Sequence, residues 1–293
     1  MGEGFFGLQD EITDRIVVAM RVNLTEGEEA RLQRKQTHSI EAWNLLSQGV
    51  ALIHRSNKAD NATARKLFQR AIAADPGYAL AHAMLASTHW NEAFQHWSEE
   101  PKKAIQQAAV LTAQAQALDP ALPEVYALQG TIHLVLRHHD EAVAAVEKAV
   151  ALSPNHATST ALLGMILQSV GRPQEAIAKL KRAMRLSPYY AAWFLEVLGL
   201  AYLEVGQPEQ ALGVLEKFLD RQPAPNHAAH AYVGRALAFD ALGRGKAARA
   251  EIAKAVETDA EITLARYGRQ SLGSDQAARQ KRLAILRRLG LPE

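Results

Sequence analysis

Small and large apolar residues follow one pattern twice between residues 123 and 188, at a spacing of 34 positions. Small residues at positions 8, 20 and 27 of each copy let two helix backbones approach closely, and larger side chains at positions such as 4, 7 and 24 fill the remaining space. A proline at position 32 ends each copy because proline cannot continue a helix. The pattern therefore predicts two antiparallel helices per copy. It is carried by Tyr126, Gly130, Ala142, Ala149 and Pro154, and then by Leu163, Gly164, Gly171, Ala176, Leu180, Ala183 and Pro188.

This pattern resembles the tetratricopeptide repeat, a unit of two helices in 34 residues. The resemblance implies an all-α fold, a right-handed superhelical solenoid of about six helix-turn-helix repeats with capping helices at both ends. We expect the array to cover residues 37–260, with about ten extra residues inside the second repeat and Ala260 in place of the last proline. The expected repeats span about 40–76, 77–120, 121–154, 155–188, 189–223 and 224–260.

Amphipathic segments flank the predicted array. An apolar stripe in residues 1–36 predicts a helical connector or cap on the first repeat, or alternatively the connector to a domain outside this sequence. Residues 261–293 predict C-terminal capping helices, with a stripe of Leu283, Leu286 and Leu289 among basic residues. A basic amphipathic helix can also bind membranes, nucleic acid or acidic partners, but its interspersed charges favour a solvated cap.

Composition narrows the classes of function. The net charge of +2 gives no bias towards nucleic acid or membranes, and the absence of cysteine excludes disulfides, thiolate metal sites and a cysteine nucleophile. No apolar run approaches the roughly 18–20 residues of a membrane span, and the first residues do not resemble a signal peptide. We therefore expect a cytoplasmic protein with no membrane span.

The sequence contains no recognisable catalytic constellation. It has no glycine-rich phosphate loop, no His-Glu-x-x-His and no Gly-x-Ser-x-Gly. His82, His89 and His96 recur every seven residues, but metal ligands on one helix are usually three or four residues apart. We therefore predict no enzymatic activity, no catalytic residue, no cofactor and no metal.

The first helices of stacked repeats line an inner groove, which is the predicted binding site. The side chains expected there are largely apolar and aromatic, which suits an amphipathic helix or an extended apolar segment of a partner protein. Some of them, Trp193 and Phe239 above all, would instead pack between repeats. The groove could also be filled by the N-terminal helix of this chain, by a second copy or by a small molecule. The candidate binding residues are Trp43, Leu46, Trp90, Asn91, Leu134, Met165, Trp193, Leu200, Arg235 and Phe239.

Three further stretches carry a narrower resemblance. Residues 6–17, 96–104 and 282–293 resemble the C-terminal tetratricopeptide region of bacterial multidomain class III adenylate/guanylate cyclases. In that family a cyclase domain and an α/β domain precede the array, and a related arrangement joins it to a winged-helix DNA-binding domain. The cyclase's metal-binding aspartates have no counterpart here, so the resemblance carries over no cyclase activity.

Together these patterns predict a non-catalytic protein–protein interaction scaffold. The resemblance implies that it is the regulatory or interaction region of a bacterial signalling protein and binds a protein or peptide, but not nucleic acid. The alternatives are a homo-oligomerisation module and the interaction region of a winged-helix transcriptional regulator.

Overall fold

The described part of the chain is entirely helical. The structure, a computed structural model, describes residues 37–53, 57–95, 97–270 and 275–293, and these form fourteen α-helices without any β-strand. The predicted connector at residues 1–36 and the histidine at position 96 lie outside the described residues. The chain divides into two compact units, which are described separately: unit 1 extends to residue 159 and includes 186–188, and unit 2 comprises residues 160–185 and 189–293.

Unit 1 is built from helix pairs. Helices α1 and α2, α3 and α4, and α5 and α6 pack as pairs, and α2 and α4 each also pack against the first helix of the next pair. The first helices α1, α3 and α5 lie side by side. The helices are α1 (Ile40–Ile53), α2 (Lys58–Ala74), α3 (Ala79–Phe94), α4 (Pro101–Leu118), α5 (Pro123–Val135) and α6 (His139–Leu152).

Unit 2 repeats this arrangement and adds a C-terminal segment. Helices α9 and α10 form one pair and α11 and α12 the next, with α9 lying beside α11. The last helix, α14, packs against both α11 and α12. The helices are α7 (Ala157–Ser169, beginning in unit 1), α8 (Pro173–Leu186), α9 (Trp193–Glu204), α10 (Pro208–Leu219), α11 (Pro225–Ala241), α12 (Gly245–Thr258), α13 (Leu264–Gln270) and α14 (Gln276–Leu289).

Local signals define where the helices start and stop. Five helices begin with proline, whose fixed φ suits the first turn and whose missing N–H is not needed there. Three second helices end at an aspartate, Asp75, Asp119 or Asp259, whose carboxylate accepts the N–H two residues further on at 2.9–3.0 Å. Each aspartate thus offers the chain a turn in place of another helical residue.

The predicted small positions are sites of close helix contact. A Cβ atom at Gly199 would lie 2.6 Å from Cδ2 of Leu215, so only glycine allows α9 to pack on α10 at this distance. A Cβ atom at Gly49 would likewise overlap the ring of Phe68. The alternation of small and large residues therefore arises from direct contacts within helix pairs of both units.

The turns inside the pairs differ between the units. In unit 2, Gly171, Gly206 and Gly243 adopt left-handed backbone conformations with φ of +70° to +81° between the first and second helices. Arg137 occupies the same kind of turn in unit 1 with a φ of +65°. Residues with a Cβ atom pay a steric penalty in this conformation, whereas glycine does not.

The C-terminal segment closes back on itself. The N–H of Leu264, at the start of α13, donates to the carbonyl of Pro292 at 2.7 Å. Helix α14 begins at Asp275, whose carboxylate accepts the N–H of Ala278 at 2.9 Å, and stops at Gly290 with a φ of +99°. None of the described helices combines the length and the apolar character that spanning a membrane requires.

Candidate protein-binding surface

Two of the predicted binding residues in unit 1 are core residues. Leu46 on α1 and Leu134 on α5 are each 1% exposed. Their positions in the repeat are covered by packing, because side-by-side first helices bury part of the face that the repeat pattern assigns to a groove. The prediction that these two side chains contact a partner is therefore wrong.

Trp43, Trp90 and Asn91 are partly exposed in unit 1. Trp90 stacks on Phe94 with 4.6 Å between ring centroids, and it also packs against a cluster that α3, α4 and α5 form together. The side-chain amide of Asn91 donates to Oδ1 of Asn61 at 3.2 Å. Trp90 and Asn91 therefore take part in packing, and Trp43 is the half-buried aromatic residue of α1.

A buried polar network, which no pattern in the sequence predicts, joins α2 to α3. The amide of Asn61, 3% exposed, donates to the carbonyl of Thr88 at 3.0 Å. Arg65 donates to the Thr88 hydroxyl at 3.2 Å and pairs with Glu92 at 2.6 Å. Burial, with a further contribution from the charge of Arg65, lowers the pKa of His89. All of these groups serve the contact between two consecutive helices.

Unit 2 presents a row of half-buried apolar side chains on its first helices. Met165 on α7 and Leu200 on α9 occupy the same position in successive repeats, and both remain partly exposed. Trp193 at the start of α9 is also partly exposed, but it packs edge-on against Phe194 with 4.5 Å between centroids. These three residues lie where a partner could reach them.

Arg235 and Phe239 on α11 are engaged within unit 2. Nε of Arg235 forms an ion pair with Glu251 of α12 at 3.1 Å, and the Glu251 side chain is only 5% exposed. Phe239 packs against a cluster that includes Leu286 and Leu289 of α14. For these two residues the structure shows contacts to the chain itself.

Polar side chains lie at the C-terminal ends of the first helices of unit 2, and two of them contact α14. The amide of Gln168 and the guanidinium of Arg282 both donate to Oε1 of Glu204, each at 2.9 Å. Arg288 donates to both carboxylate oxygens of Asp240 at 2.8 and 2.9 Å. We call Gln168, Glu204 and Asp240, with the adjacent apolar Leu203 and Phe239, the acidic edge.

A second charged pair lies nearer the start of the same helices. His227 of α11 contacts Glu196 of α9 at 3.0 Å, and both side chains are largely buried. Burial alone would lower the pKa of His227, but the charge and hydrogen bond of Glu196 raise it overall. Burial likewise opposes ionisation of Glu196, yet the charges of His227 and His230 and the hydrogen bond of His227 hold its pKa below the usual value.

The histidines singled out in the sequence have structural contacts. Nε2 of His82 lies 3.1 Å from the carbonyl of Pro76, and His89 is beside Glu92. In the part of the chain that the structure describes, no three His, Asp or Glu side chains are arranged to hold a metal ion.

Comparison with known proteins identifies the class of protein. Three family models, each described as tetratricopeptide repeat, match residues 123–156, 157–224 and 197–261. Residues 123–261 therefore carry tetratricopeptide repeats, and the all-α solenoid class of fold predicted from the sequence is confirmed.

One curated relative is a Rhizobium meliloti (strain 1021) protein named "Putative adenylate cyclase 3", which is 34% identical over 140 residues. The match covers 48% of this chain and 24% of the relative, so it spans about a quarter of that protein's length. The predicted resemblance to the repeat regions of cyclases is thus supported.

Two solved structures show the fold. The Cut9–Hcn1 hetero-tetramer of the APC/C gives a TM-score of 0.62 at 17% identity, covering 94% of this chain and 51% of that chain. The thermophilic tetratricopeptide protein TTC0263 from Thermus thermophilus gives a TM-score of 0.51 at 21% identity, covering 69% and 98%. At these identities the likeness concerns the fold alone.

Proposed function

We propose that this chain is a non-catalytic scaffold that binds a helix or extended peptide of a partner protein on the face formed by its first helices. We further propose that it works in the bacterial cytoplasm as the regulatory or interaction region of a cyclase-like signalling protein. Self-association stays a prediction from the sequence.

The observation that carries the binding proposal is the pair Met165 and Leu200. Both are large apolar side chains that remain partly exposed at equivalent positions of neighbouring first helices. The hydrogen bond between Gln168 and Glu204 joins the ends of these two helices, so the two apolar side chains belong to one surface. Clustered apolar residues with a polar rim are typical of the anchor region of a protein interface.

The signalling part of the proposal is supported by the partial match to the protein named as an adenylate cyclase. Within the described residues, the clustered histidines and carboxylates contact each other, arginines or the backbone. We therefore expect the chain to produce no cyclic nucleotide from purine triphosphates.

A peptide-display selection against the full chain tests the binding site. Helical 20-residue peptides would be selected on the wild-type protein, and their affinities would be measured by fluorescence anisotropy. We expect Met165→Glu and Leu200→Glu to weaken the selected peptides about tenfold or more, because each places a charge among apolar anchors.

The matched control is Leu212→Glu, which places the same charge at a half-buried leucine of the second helix α10. This variant should bind the selected peptides as the wild type does. Equal losses in Leu200→Glu and Leu212→Glu, with both proteins folded by circular dichroism, would exclude the first-helix face as the binding site.

A further inference from the structure

The acidic edge of unit 2 already holds a helix. Helix α14 contacts the last residue of α9 through Arg282 and Glu204, and it contacts the end of α11 through Arg288 and Asp240. It therefore lies across the C-terminal ends of two adjacent first helices. The proposed function places a partner on the same first helices, at Met165 and Leu200.

The bound helix has a simple recognition pattern. Leu283, Leu286 and Leu289 form its apolar stripe, and Leu286 and Leu289 are 0% and 5% exposed. Arg282 and Arg288 flank this stripe at a spacing of six residues. A short amphipathic helix with two basic side chains beside three leucines is thus sufficient to occupy the edge.

The acidic edge complements this pattern in charge and in polarity. Glu204 and Asp240 lie at the C-terminal ends of α9 and α11, where the helix dipoles add partial negative charge. Leu203 and Phe239 supply the apolar part of the surface. Gln168 continues the polar row to the end of α7. The whole edge therefore favours a cationic amphipathic helix over an acidic one.

The polar contacts of α14 are weaker than its apolar ones. Its two ion pairs lie at the rim, where the Arg282 and Arg288 side chains are 26% and 61% exposed, and rim pairs of this kind contribute little net stability. Burial raises the pKa of Glu204, although the charge of Arg282 and the hydrogen bond from Gln168 oppose this shift. Leu286 and Leu289 are buried against the last repeat, so a partner helix that displaces α14 must supply equivalent apolar side chains.

We propose that the acidic edge is a docking surface for a basic amphipathic helix of a partner protein, and that α14 is the intramolecular occupant that such a helix displaces. The proposal rests on the protein-binding function proposed above and adds the chemistry of the partner. The docking site proposed for this helix is the acidic edge, not the surface at Met165 and Leu200.

The test uses the full chain and a labelled peptide that corresponds to residues 275–293. In the protein, Arg282→Glu combined with Arg288→Glu weakens the docking of its own α14 and leaves Glu204 and Asp240 unchanged. We expect the labelled peptide to bind this double variant about tenfold or more tightly than the wild-type chain, because the internal competitor has been weakened. A peptide that carries the same two glutamates should bind neither protein.

The matched control reverses two exposed basic residues of α12, Lys246→Glu and Arg249→Glu, which changes the net charge equally. Its affinity for the peptide should equal that of the wild type. If the double variant of α14 does not fold, Arg288→Glu alone provides the same test at a more exposed position.

Equal binding of the peptide to the wild type and the α14 variant, or binding to neither, would overturn the proposal. Such a result would leave the proposed function standing if Leu200→Glu still weakened the display-selected peptides. Conversely, Leu200→Glu could leave the display-selected peptides bound while the α14 variant still binds the labelled peptide more tightly. That result would refute only the binding site proposed at Met165 and Leu200.

Discussion

Two polar clusters, one in each unit, serve different purposes. In unit 1, Asn61, Arg65 and Thr88 join the second helix of one pair to the first helix of the next. In unit 2, Glu204 and Asp240 bind a helix that lies beyond the last pair. Both units share the same close packing of small and large residues, so the repeat pattern alone does not distinguish them.

The polar side chains of unit 1 therefore hold the repeats together, whereas the carboxylates of the acidic edge bind a helix that packs on the repeats. A buried amide with two partners inside the array is costly to remove, because its partners lose their hydrogen bonds together. A carboxylate at a helix end that pairs with a partly exposed arginine costs little to remove. The loss of stability on removing each kind of side chain therefore distinguishes a structural group from a group at a docking surface.

The largest effect is expected from Asn61→Ala in unit 1. The substitution leaves the carbonyl of Thr88 with weaker partners and Asn91 without its acceptor, so we expect unit 1 to lose about 2 kcal/mol of stability. Glu204→Gln in unit 2 should cost less than about 1 kcal/mol. Urea unfolding gives both values.

Asn44→Ala, at an exposed position of α1, is the control for Asn61 and should leave the unfolding midpoint unchanged. The comparison between the units fails if Asn61→Ala and Glu204→Gln destabilise the protein equally.

Lowering the pH should have a smaller effect on stability, with opposite signs in the two units. In unit 1, burial lowers the pKa of His156 to about 4, and its Nδ1 lies 2.6 Å from the Ser159 hydroxyl. The unfolded chain takes up a proton near the ordinary value of 6.5, which the folded chain does not, so His156 destabilises the fold as pH falls below 6.5. We expect a loss of about 1 kcal/mol between pH 7 and pH 5.5.

In unit 2 the pair of His227 and Glu196 acts the other way. The raised pKa of His227 means that the folded state holds the proton more tightly, so this contribution is full below 6.5 and is lost as pH rises through the folded pKa. The lowered pKa of Glu196 gives a contribution that is present above 4.5 and is lost on further acidification. The pair thus stabilises unit 2 most between these two values.

Urea unfolding of His156→Gln and His227→Gln at pH 7 and pH 5.5 separates the two contributions. The first variant should lose less stability on acidification than the wild type, and the second should lose more. The same response from both variants would contradict the assignment of opposite signs.

The smallest effect concerns the turns inside the helix pairs. Arg137 in unit 1 holds a left-handed conformation that glycine holds in the turns of unit 2, so Arg137→Gly should gain about 0.5–1 kcal/mol. Gly206→Ala is the reverse test, and since a Cβ atom there would meet nothing within 4 Å, its cost should come from the backbone alone. Thermal unfolding of both variants checks this, and a loss in Arg137→Gly would mean that the arginine's own contacts outweigh the strain.

The helix pairs were predictable because their cause is local. Gly49 and Gly199 lie against large residues of the next helix, about one helix and one turn further along the chain, and such contacts leave a fixed spacing in the sequence. The proline near each repeat boundary also marked the end of most second helices, whereas the turns at Asp75 and Asp119 were not predicted.

The binding surface was less predictable because exposure depends on neighbours that are remote in sequence. Leu46 and Leu134 have the positions of groove residues, but adjoining helices bury them. Arg282 reaches Glu204 across 78 residues, and no spacing in the sequence indicates that pairing. A cluster of glutamate and glutamine at the ends of first helices, opposite a basic C-terminal stripe, is the one signal that could have suggested it.

The positions of the four tryptophans make them intrinsic fluorescence probes of the two units. Three of the four, Trp43, Trp90 and Trp97, belong to unit 1, and Trp193 alone belongs to unit 2. Trp193 lies edge-on to Phe194 at the start of α9, so its emission should respond to the loosening of that helix. A Trp193→Phe protein would report on unit 1 only, and the difference between its fluorescence and that of the wild type would follow unit 2 without any attached dye.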